Sequence, residues 1–188
     1  MHTAIFALLP LFLSPATTTS SSTFQTEMLF HHNLLRAEHG SGALIWDDSL
    51  EAAAASWAEK CNFMHSQTLG MGENLFCGTN SGWSEEAVCN QWGVRERDLY
   101  PYHHAPLSGT GHFTQMVWAG TERVGCAIQW CPDGVKGAWT EPSELVVCNY
   151  QPAGNVVGSY EENVVRPCGT RLDGGGRGVG SAVMEEVG

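Results

Sequence analysis

Apolar residues recur at helical spacing in three segments of the first hundred residues. The first segment, 24–39, has Met28 and Leu35 on one face and ends before Gly40, which predicts an amphipathic helix. The second begins in the run Trp46–Ser49, where Asp and Ser suit a helix N-cap. Four residues form the predicted inward face of this second helix: Leu50, Ala54, Trp57 and Cys61.

The third segment, 84–98, brings a carboxylate close to an apolar face. Four residues fall at helical spacing here: Val88, Trp92, Glu96 and Leu99. By itself, Glu96 would be interpreted as a rim residue that is hydrogen-bonded to a loop. Glu73 lies before a short apolar run that is typical of a buried strand. A carboxylate there needs a partner, because burying an unpaired charge is costly.

Two later segments alternate between apolar and polar residues as β-strands do. In 123–131, Cys126 and Cys131 fall on opposite faces of the predicted strand. The second strand, 145–150, carries Cys148 on one face. Cys126 and Cys131 should therefore find different disulfide partners.

The run Gly111–Thr121 has one histidine at the head of an aromatic and aliphatic stretch. Phe113, Met116 and Val117 recur at about helical spacing and predict one or two buried helical turns. His112 is therefore expected to be held by packing. It is either a core histidine satisfied by ordinary hydrogen bonds or a functional group.

The charge of the chain restricts its partners. Its 188 residues include 9 Lys+Arg and 20 Asp+Glu, for a formal net charge of -11. This length suits one domain with one core, with or without tails. Because no basic stripe is present, binding to nucleic acid is not expected. Attraction to anionic membranes is disfavoured for the same reason.

The ends of the chain predict segments outside the folded domain. Residues 1–16 are typical of a secretory signal peptide, with an apolar core at 5–13 and small residues before a cut after Ala16. That core is too short to span a bilayer. Residues 17–23 predict a Ser/Thr-rich linker, and 169–188 a Gly-rich disordered tail. The mature protein is expected to be secreted and extracellular, with no transmembrane segment.

Seven cysteines are distributed along the chain, and none forms a CxxC pair or a zinc-finger spacing. In a secreted protein such cysteines predict disulfide bonds. The odd number leaves one thiol free or paired between molecules.

Several runs, in order, resemble the signatures of the CAP superfamily (the SCP domain). This superfamily includes cysteine-rich secretory proteins, antigen 5 and plant pathogenesis-related group-one proteins. Gly111–Trp118 matches one signature and Val147–Asn155 matches the second. Weaker matches are His32–Arg36, Gly72–Leu75 and Trp92–Glu96. The resemblance spans about 24–160, and we predict a CAP domain over 24–168.

The resemblance implies an α+β fold, a three-layer α-β-α sandwich with a small, mainly antiparallel sheet between helices. It also implies a cleft that holds two histidines and two acidic residues. The matching positions are His65, His112, Glu73 and Glu96. The disulfides that it implies are Cys61–Cys131 and Cys126–Cys148. Of the remaining cysteines, we pair Cys77 with Cys89, which have no obvious family counterpart, and leave Cys168 unpaired.

Three positions depart from the family pattern. The helix glutamate of the family usually falls three residues after the tryptophan, but Arg95 holds that position here and Glu96 follows it. The plant branch usually ends its domain with Pro-Tyr, where this chain has Ser159-Tyr160, so release of a plant-type signalling peptide is not expected. The Cys-rich module of the animal branch does not follow Cys168, and ion-channel blocking is not expected either.

The residues of the implied cleft suit a divalent cation. Two neutral imidazoles can bind zinc, with carboxylates as further ligands or as hydrogen-bond acceptors behind the ligands. We expect one divalent ion, with zinc preferred, and no organic cofactor. The alternative is a metal-free network in which each glutamate accepts a hydrogen bond from a histidine.

The resemblance implies binding and signalling more than catalysis. The predicted function is non-catalytic binding of a sterol or other lipid, or of an extracellular protein. The alternatives are a metal-dependent hydrolase and a protease inhibitor or defence-related ligand. We expect apolar ligands to lie in a groove beside the helices, because the cleft is polar by composition.

Overall fold

The computed structural model describes residues 19–102 and 108–167. The predicted signal peptide, Cys168 and the predicted tail lie outside these residues. The described elements are the helices and strands α1 (Thr19–Glu38), β1 (Ile45–Trp46), α2 (Asp48–Ala58), β2 (Gly72–Thr79), α3 (Glu85–Asn90), α4 (Gly111–Val117), β3 (Arg123–Cys131), β4 (Ser143–Gln151) and α5 (Tyr160–Asn163). A π-helical turn, Gln91–Arg95, continues α3.

The four strands form one sheet in the order β1-β3-β4-β2. β4 pairs antiparallel with both β2 and β3, and the two residues of β1 pair in parallel with the start of β3. The sheet is therefore mainly antiparallel, as the family resemblance implies.

Helices cover both faces of this sheet, so the chain folds as an α-β-α sandwich. One face packs against α1, α3 and α4, and its core includes Met28, Val88, Trp92, Phe113, Met116, Val146 and Tyr150. The other face packs against α2, and its core includes Ala54, Ala58, Leu75, Cys77, Leu145 and Val147. The strict alternation along β4 divides its side chains between the two cores.

Several element boundaries differ from the sequence prediction. The backbone of α1 is already helical at Thr19, inside the segment predicted as a linker. Strand β1 and helix α5 were not predicted, because two and four residues are too short to show a periodic pattern. Leu99, predicted on the apolar face of the third helix, is 58% exposed because that helix ends before it.

Two disulfides join Cys61 to Cys131 and Cys126 to Cys148. These are the pairs that the family resemblance implies, and Cys126 and Cys131 lie in different cores. The predicted pair of Cys77 with Cys89 is wrong, because both are free, buried thiols. Cys77 packs in the core on the α2 side of the sheet, whereas Cys89 packs in the core on the α1 side. The sheet separates them.

Among residues 19–102 and 108–167, no helix is long and apolar enough to cross a membrane.

Candidate binding cleft

Helix α4 is held in place by a buried arginine of α1. Arg36 is fully buried, and its guanidinium donates to the carbonyl oxygens of Met116 (2.9 Å), Trp118 (2.8 Å) and Thr121 (2.8 Å). Desolvation lowers the pKa of Arg36 to about 10, which leaves it protonated at neutral pH. A cation at the C-terminal end of α4 satisfies carbonyl groups that lack helical partners. This contact fixes the orientation of the helix that carries His112.

His112 and Glu96 form a buried pair on the α1 side of the sheet. Nδ1 of His112 donates to Oε1 of Glu96 at 2.5 Å, and the backbone N–H of Phe113 donates to Oε2 at 2.9 Å. The side chains of His112 and Glu96 are 4% and 1% exposed. The ring of Trp92 stacks on that of His112, with 6.0 Å between centroids. Both oxygens of Glu96 are therefore occupied as acceptors.

The π-helical turn accounts for the unusual position of this glutamate in the sequence. A π-helical turn contains one residue more than an α-helical turn, because its hydrogen bonds run from i to i+5. Trp92 lies in this turn and Glu96 directly follows it, and both are buried. The turn accommodates the additional residue, and Glu96 faces the core while Arg95 does not.

His65 and Glu73 form a second pair, close to the surface. Nδ1 of His65 donates to Oε1 of Glu73 at 2.9 Å, and the N–H of Ser66 donates to the same oxygen at 2.8 Å. The other atoms of the pair, Nε2 of His65 and Oε2 of Glu73, are buried without a hydrogen-bond partner among the described residues. Such unsatisfied buried atoms need an explanation, for which an ion or a water molecule is the usual one.

Both histidines line a single cleft of about 500 Å³. Its polar wall includes His65, Glu73, His112, Gln115 and Asn155. Glu96 does not line the cleft, in contrast to the expectation from the resemblance, because its carboxylate lies behind His112. The cleft itself therefore contains two histidines and one glutamate.

A buried polar network supports the back of the cleft. The amide of Asn74 donates to the carbonyl oxygen of His112 and to the hydroxyl of Tyr150, each at 3.2 Å. That hydroxyl also lies 2.8 Å from Nε2 of His32. The network ties β2, β4 and α1 to the backbone of His112.

Gln115 and Asn155 are site residues that the sequence analysis did not select. The amide oxygen of Gln115 accepts from the N–H of Gly154 at 2.9 Å, and Asn155 donates to the carbonyl oxygen of Gly111 at 3.0 Å. These contacts attach the loop after β4 to α4. The sequence did contain a signal for these two residues, because each lies inside one of the two family signatures. The two signature segments contact each other in the structure.

The model of the cysteine-rich secretory protein family, CAP, matches residues 29–150. A probable pathogenesis-related protein of Arthroderma benhamiae is 37% identical over 151 residues, which cover 74% of this chain and 48% of that protein. The pathogenesis-related protein PR-1 of Medicago truncatula is 35% identical over 170 residues, with coverage of 82% and 93%.

One solved structure is also similar to this chain. The crystal structure of NaASP2 with Zn²⁺ is similar at a TM-score of 0.57 and 25% identity, covering 81% of this chain and 90% of that one. The chain spans about half the length of the Arthroderma relative and 38% of human peptidase inhibitor 16, which it also resembles. The family model matches well over half of the chain, so this chain belongs to the cysteine-rich secretory protein (CAP) family.

Proposed function

We propose that this chain is a non-catalytic, extracellular CAP-domain protein whose cleft binds one divalent cation, zinc in preference to others, through His65 and His112. The observation that carries the proposal is the shared orientation of the two imidazoles. Each directs Nδ1 at a carboxylate, which leaves Nε2 for a ligand. A carboxylate behind a histidine is the arrangement that orients metal-binding imidazoles in proteins.

The unsatisfied atoms of the His65–Glu73 pair support the binding of a cation. With Nδ1 of His65 donating to Glu73, the neutral ring offers Nε2 as an acceptor, and the free oxygen of Glu73 is an acceptor too. Two buried acceptors without a donor favour a positively charged partner. A bound zinc ion would satisfy this requirement and could polarise a bound water or an anionic ligand.

Few side chains of the protein are placed to bind the metal ion. No cluster of three or more His, Cys, Asp or Glu side chains suited to a metal ion occurs within residues 19–102 and 108–167. Two imidazoles would leave the other coordination positions to water or to a ligand. The similarity to NaASP2, which was solved with Zn²⁺, supports zinc as the cation to test first.

The contacts of Glu96 do not suit a general base. Both oxygens of Glu96 already accept hydrogen bonds, and one oxygen of Glu73 accepts two. A general base needs a free oxygen within reach of the proton that it removes. Glu96 has none, so its role would be to orient His112. The two disulfides support an oxidising, extracellular environment.

The predicted lipid groove has little support in the described region. One pocket beside α1, which includes the aliphatic residues Leu34, Leu35 and Val94, has a volume of about 50 Å³. A larger pocket at the end of α1, of about 370 Å³, is lined mainly by charged residues and tyrosines. Ligand pockets are usually several hundred Å³. Sterol binding in a groove beside the helices therefore stays a prediction.

Calorimetric titration of metal-free protein with zinc tests the proposal. We expect about one ion per chain at neutral pH, and at least about tenfold weaker binding for His65→Ala and for His112→Ala. The matched control is His31→Ala, because His31 lies on α1 beside Glu27 and outside the cleft.

Two results would contradict the proposal. One is the absence of zinc binding near one ion per chain, which would leave a metal-free hydrogen-bond network. The other is equal binding by the cleft variants and by His31→Ala. Zinc-dependent hydrolysis of an ester or peptide that is lost in both cleft variants would replace binding with catalysis.

A further inference from the structure

Two aliphatic side chains at the mouth of the cleft are almost completely exposed. Leu69 is 97% exposed and Val157 is 92% exposed, although both line the cleft. They come from different parts of the chain, the loop before β2 and the loop after β4. Covering these side chains with an apolar partner would remove their apolar surface from water, which is favourable.

Each of these side chains lies at the tip of a glycine turn. Leu69 precedes Gly70 (φ 78°), and Val157 precedes Gly158 (φ 89°). A Cβ atom at either glycine would have no heavy atom within 4 Å. Positive φ permits a tight turn, which lets one aliphatic residue project from each loop. The cleft mouth is thus flanked by two protruding apolar tips.

The exposure of the tips favours an extended surface over a small ligand as the partner. A molecule inside a cleft of about 500 Å³ would contact its walls, but it would leave side chains that project beyond those walls in water. Protein-protein interfaces usually have a contiguous core that is rich in aromatic residues, Met and Arg. Isolated aliphatic tips, with the half-buried Tyr160 beside them, better fit the interfacial zone of a bilayer.

The net charge of the protein indicates which type of bilayer it would bind. The formal net charge is -11, and the exposed Glu161 and Glu162 directly follow Tyr160 of the cleft wall. An anionic membrane would be repelled. A zwitterionic surface avoids this repulsion, and its phosphate groups are ligands for a divalent cation.

We infer that the cleft mouth docks on a zwitterionic phospholipid bilayer, with Leu69 and Val157 entering the boundary between headgroups and acyl chains and a lipid phosphate facing the cation in the cleft. The phosphate contact rests on the proposed function, because it needs the cation. The insertion of the two tips does not need it. This places the apolar contact at the cleft itself, in contrast to the groove beside the helices that we expected from the polar composition of the cleft.

Flotation of the protein with phosphatidylcholine vesicles tests this inference. In the presence of saturating zinc we expect the protein to float with the vesicles, and chelation of zinc to reduce the bound fraction. The double variant Leu69→Ser, Val157→Ser should bind at least about tenfold more weakly. The matched control is Ile45→Ser, because Ile45 is a 69% exposed aliphatic residue on β1 that does not line the cleft.

A zinc titration of the same variants separates this inference from the proposed function. The double variant should bind zinc as the unmodified protein does, because neither tip is a ligand. Zinc binding without vesicle binding would overturn the docking inference and leave the proposed function intact, with the tips free for a protein partner. Equal vesicle binding by the double variant and by Ile45→Ser would also overturn it. Loss of zinc binding in the unmodified protein would contradict the proposed function instead.

Discussion

At the scale of single residues, the surroundings of each histidine determine what it can do. His32 is completely buried, and its ring is satisfied at both nitrogens, by the carbonyl oxygen of Met28 at 2.7 Å and the hydroxyl of Tyr150 at 2.8 Å. Desolvation, with a smaller contribution from the nearby Arg36, lowers the pKa of His32 to about 4. His65 and His112 instead face carboxylates and line a cleft. His32 is therefore structural, and the other two are candidates for binding.

The low pKa of His32 predicts a pH dependence of stability. The unfolded chain binds a proton at this residue below a pH of about 6.5, whereas the folded protein does so only below a pH of about 4. Acidification through this window therefore stabilises the unfolded state. Between a pH of about 7 and a pH of about 4.5, the free energy of unfolding should fall by about 2 kcal/mol from this residue alone. Urea unfolding at a pH of about 7 and of about 4.5 measures the change.

The variant His32→Gln isolates this contribution. It should be less stable at neutral pH, because it alters a buried network, but it should lose less stability on acidification than the unmodified protein. The same pH dependence in both proteins would show that His32 is not the group responsible.

At the scale of elements, the π-helical turn after α3 decides which side chain reaches His112. The turn holds Trp92 and Gly93 in the core and exposes Val94. Gly93 packs closely on α1, since a Cβ atom there would lie 2.6 Å from Cδ2 of Leu35. The extra residue of the turn therefore lies on the solvent side, and Glu96 occupies the inward position that follows Trp92.

We predict that deletion of Val94 is tolerated. Removing one exposed residue should convert the π-helical turn to an α-helical turn and restore the three-residue spacing that is usual in the family, while Glu96 still reaches His112. The expected loss of unfolding free energy is below about 1.5 kcal/mol, with zinc affinity retained.

Deletion of Val88 is the matched control for this prediction. Val88 is 2% exposed in the α-helical part of the same segment, and its removal would rotate all later side chains by about 100°. That variant should be unfolded or lose several kcal/mol. A similarly severe effect of deleting Val94 would contradict our explanation of the turn.

At the scale of the whole molecule, the two disulfides act on different parts of the fold. Cys61–Cys131 joins the loop after α2 to the end of β3 across a separation of 70 residues. Cys126–Cys148 links the paired strands β3 and β4 across 22 residues. Because a longer closed loop restricts the unfolded chain more, the first bond should contribute more to stability.

Replacing each disulfide by two serines measures the difference. The loop-entropy estimate is about 4 kcal/mol for the Cys61–Cys131 variant and about 3 kcal/mol for the Cys126–Cys148 variant. Cys89→Ala is the control, because it removes a buried free thiol and no covalent bond. Denaturant unfolding of all three variants provides the comparison. The reverse order of the two double variants would show that native packing around the bonds outweighs loop closure.

The local pattern of the sequence was sufficient for features that depend on one periodicity. The alternation in 123–131 predicted the strand β3 and the opposite orientation of Cys126 and Cys131, both of which the structure contains. The helical spacing predicted buried positions such as Met28 in α1 and Leu50 in α2, since burial of a face is encoded in the order of residues along it. The prediction was wrong for Cys61, which lies beyond the end of α2. The resemblance to the family signatures predicted the fold and indicated the candidate site residues.

Tertiary structure decided the features that depend on contacts between distant segments. Cys77 and Cys89 lie in different cores because the side chain of Cys77 leaves β2 on the α2 side of the sheet, whereas α3 packs on the other side. No spacing along the chain encodes which side α3 covers. Glu96 lies behind His112, and the cleft is completed by Gln115 and Asn155 from two signature runs. Periodicity fixes the face on which a side chain lies, whereas the packing of one element against another determines what that face meets.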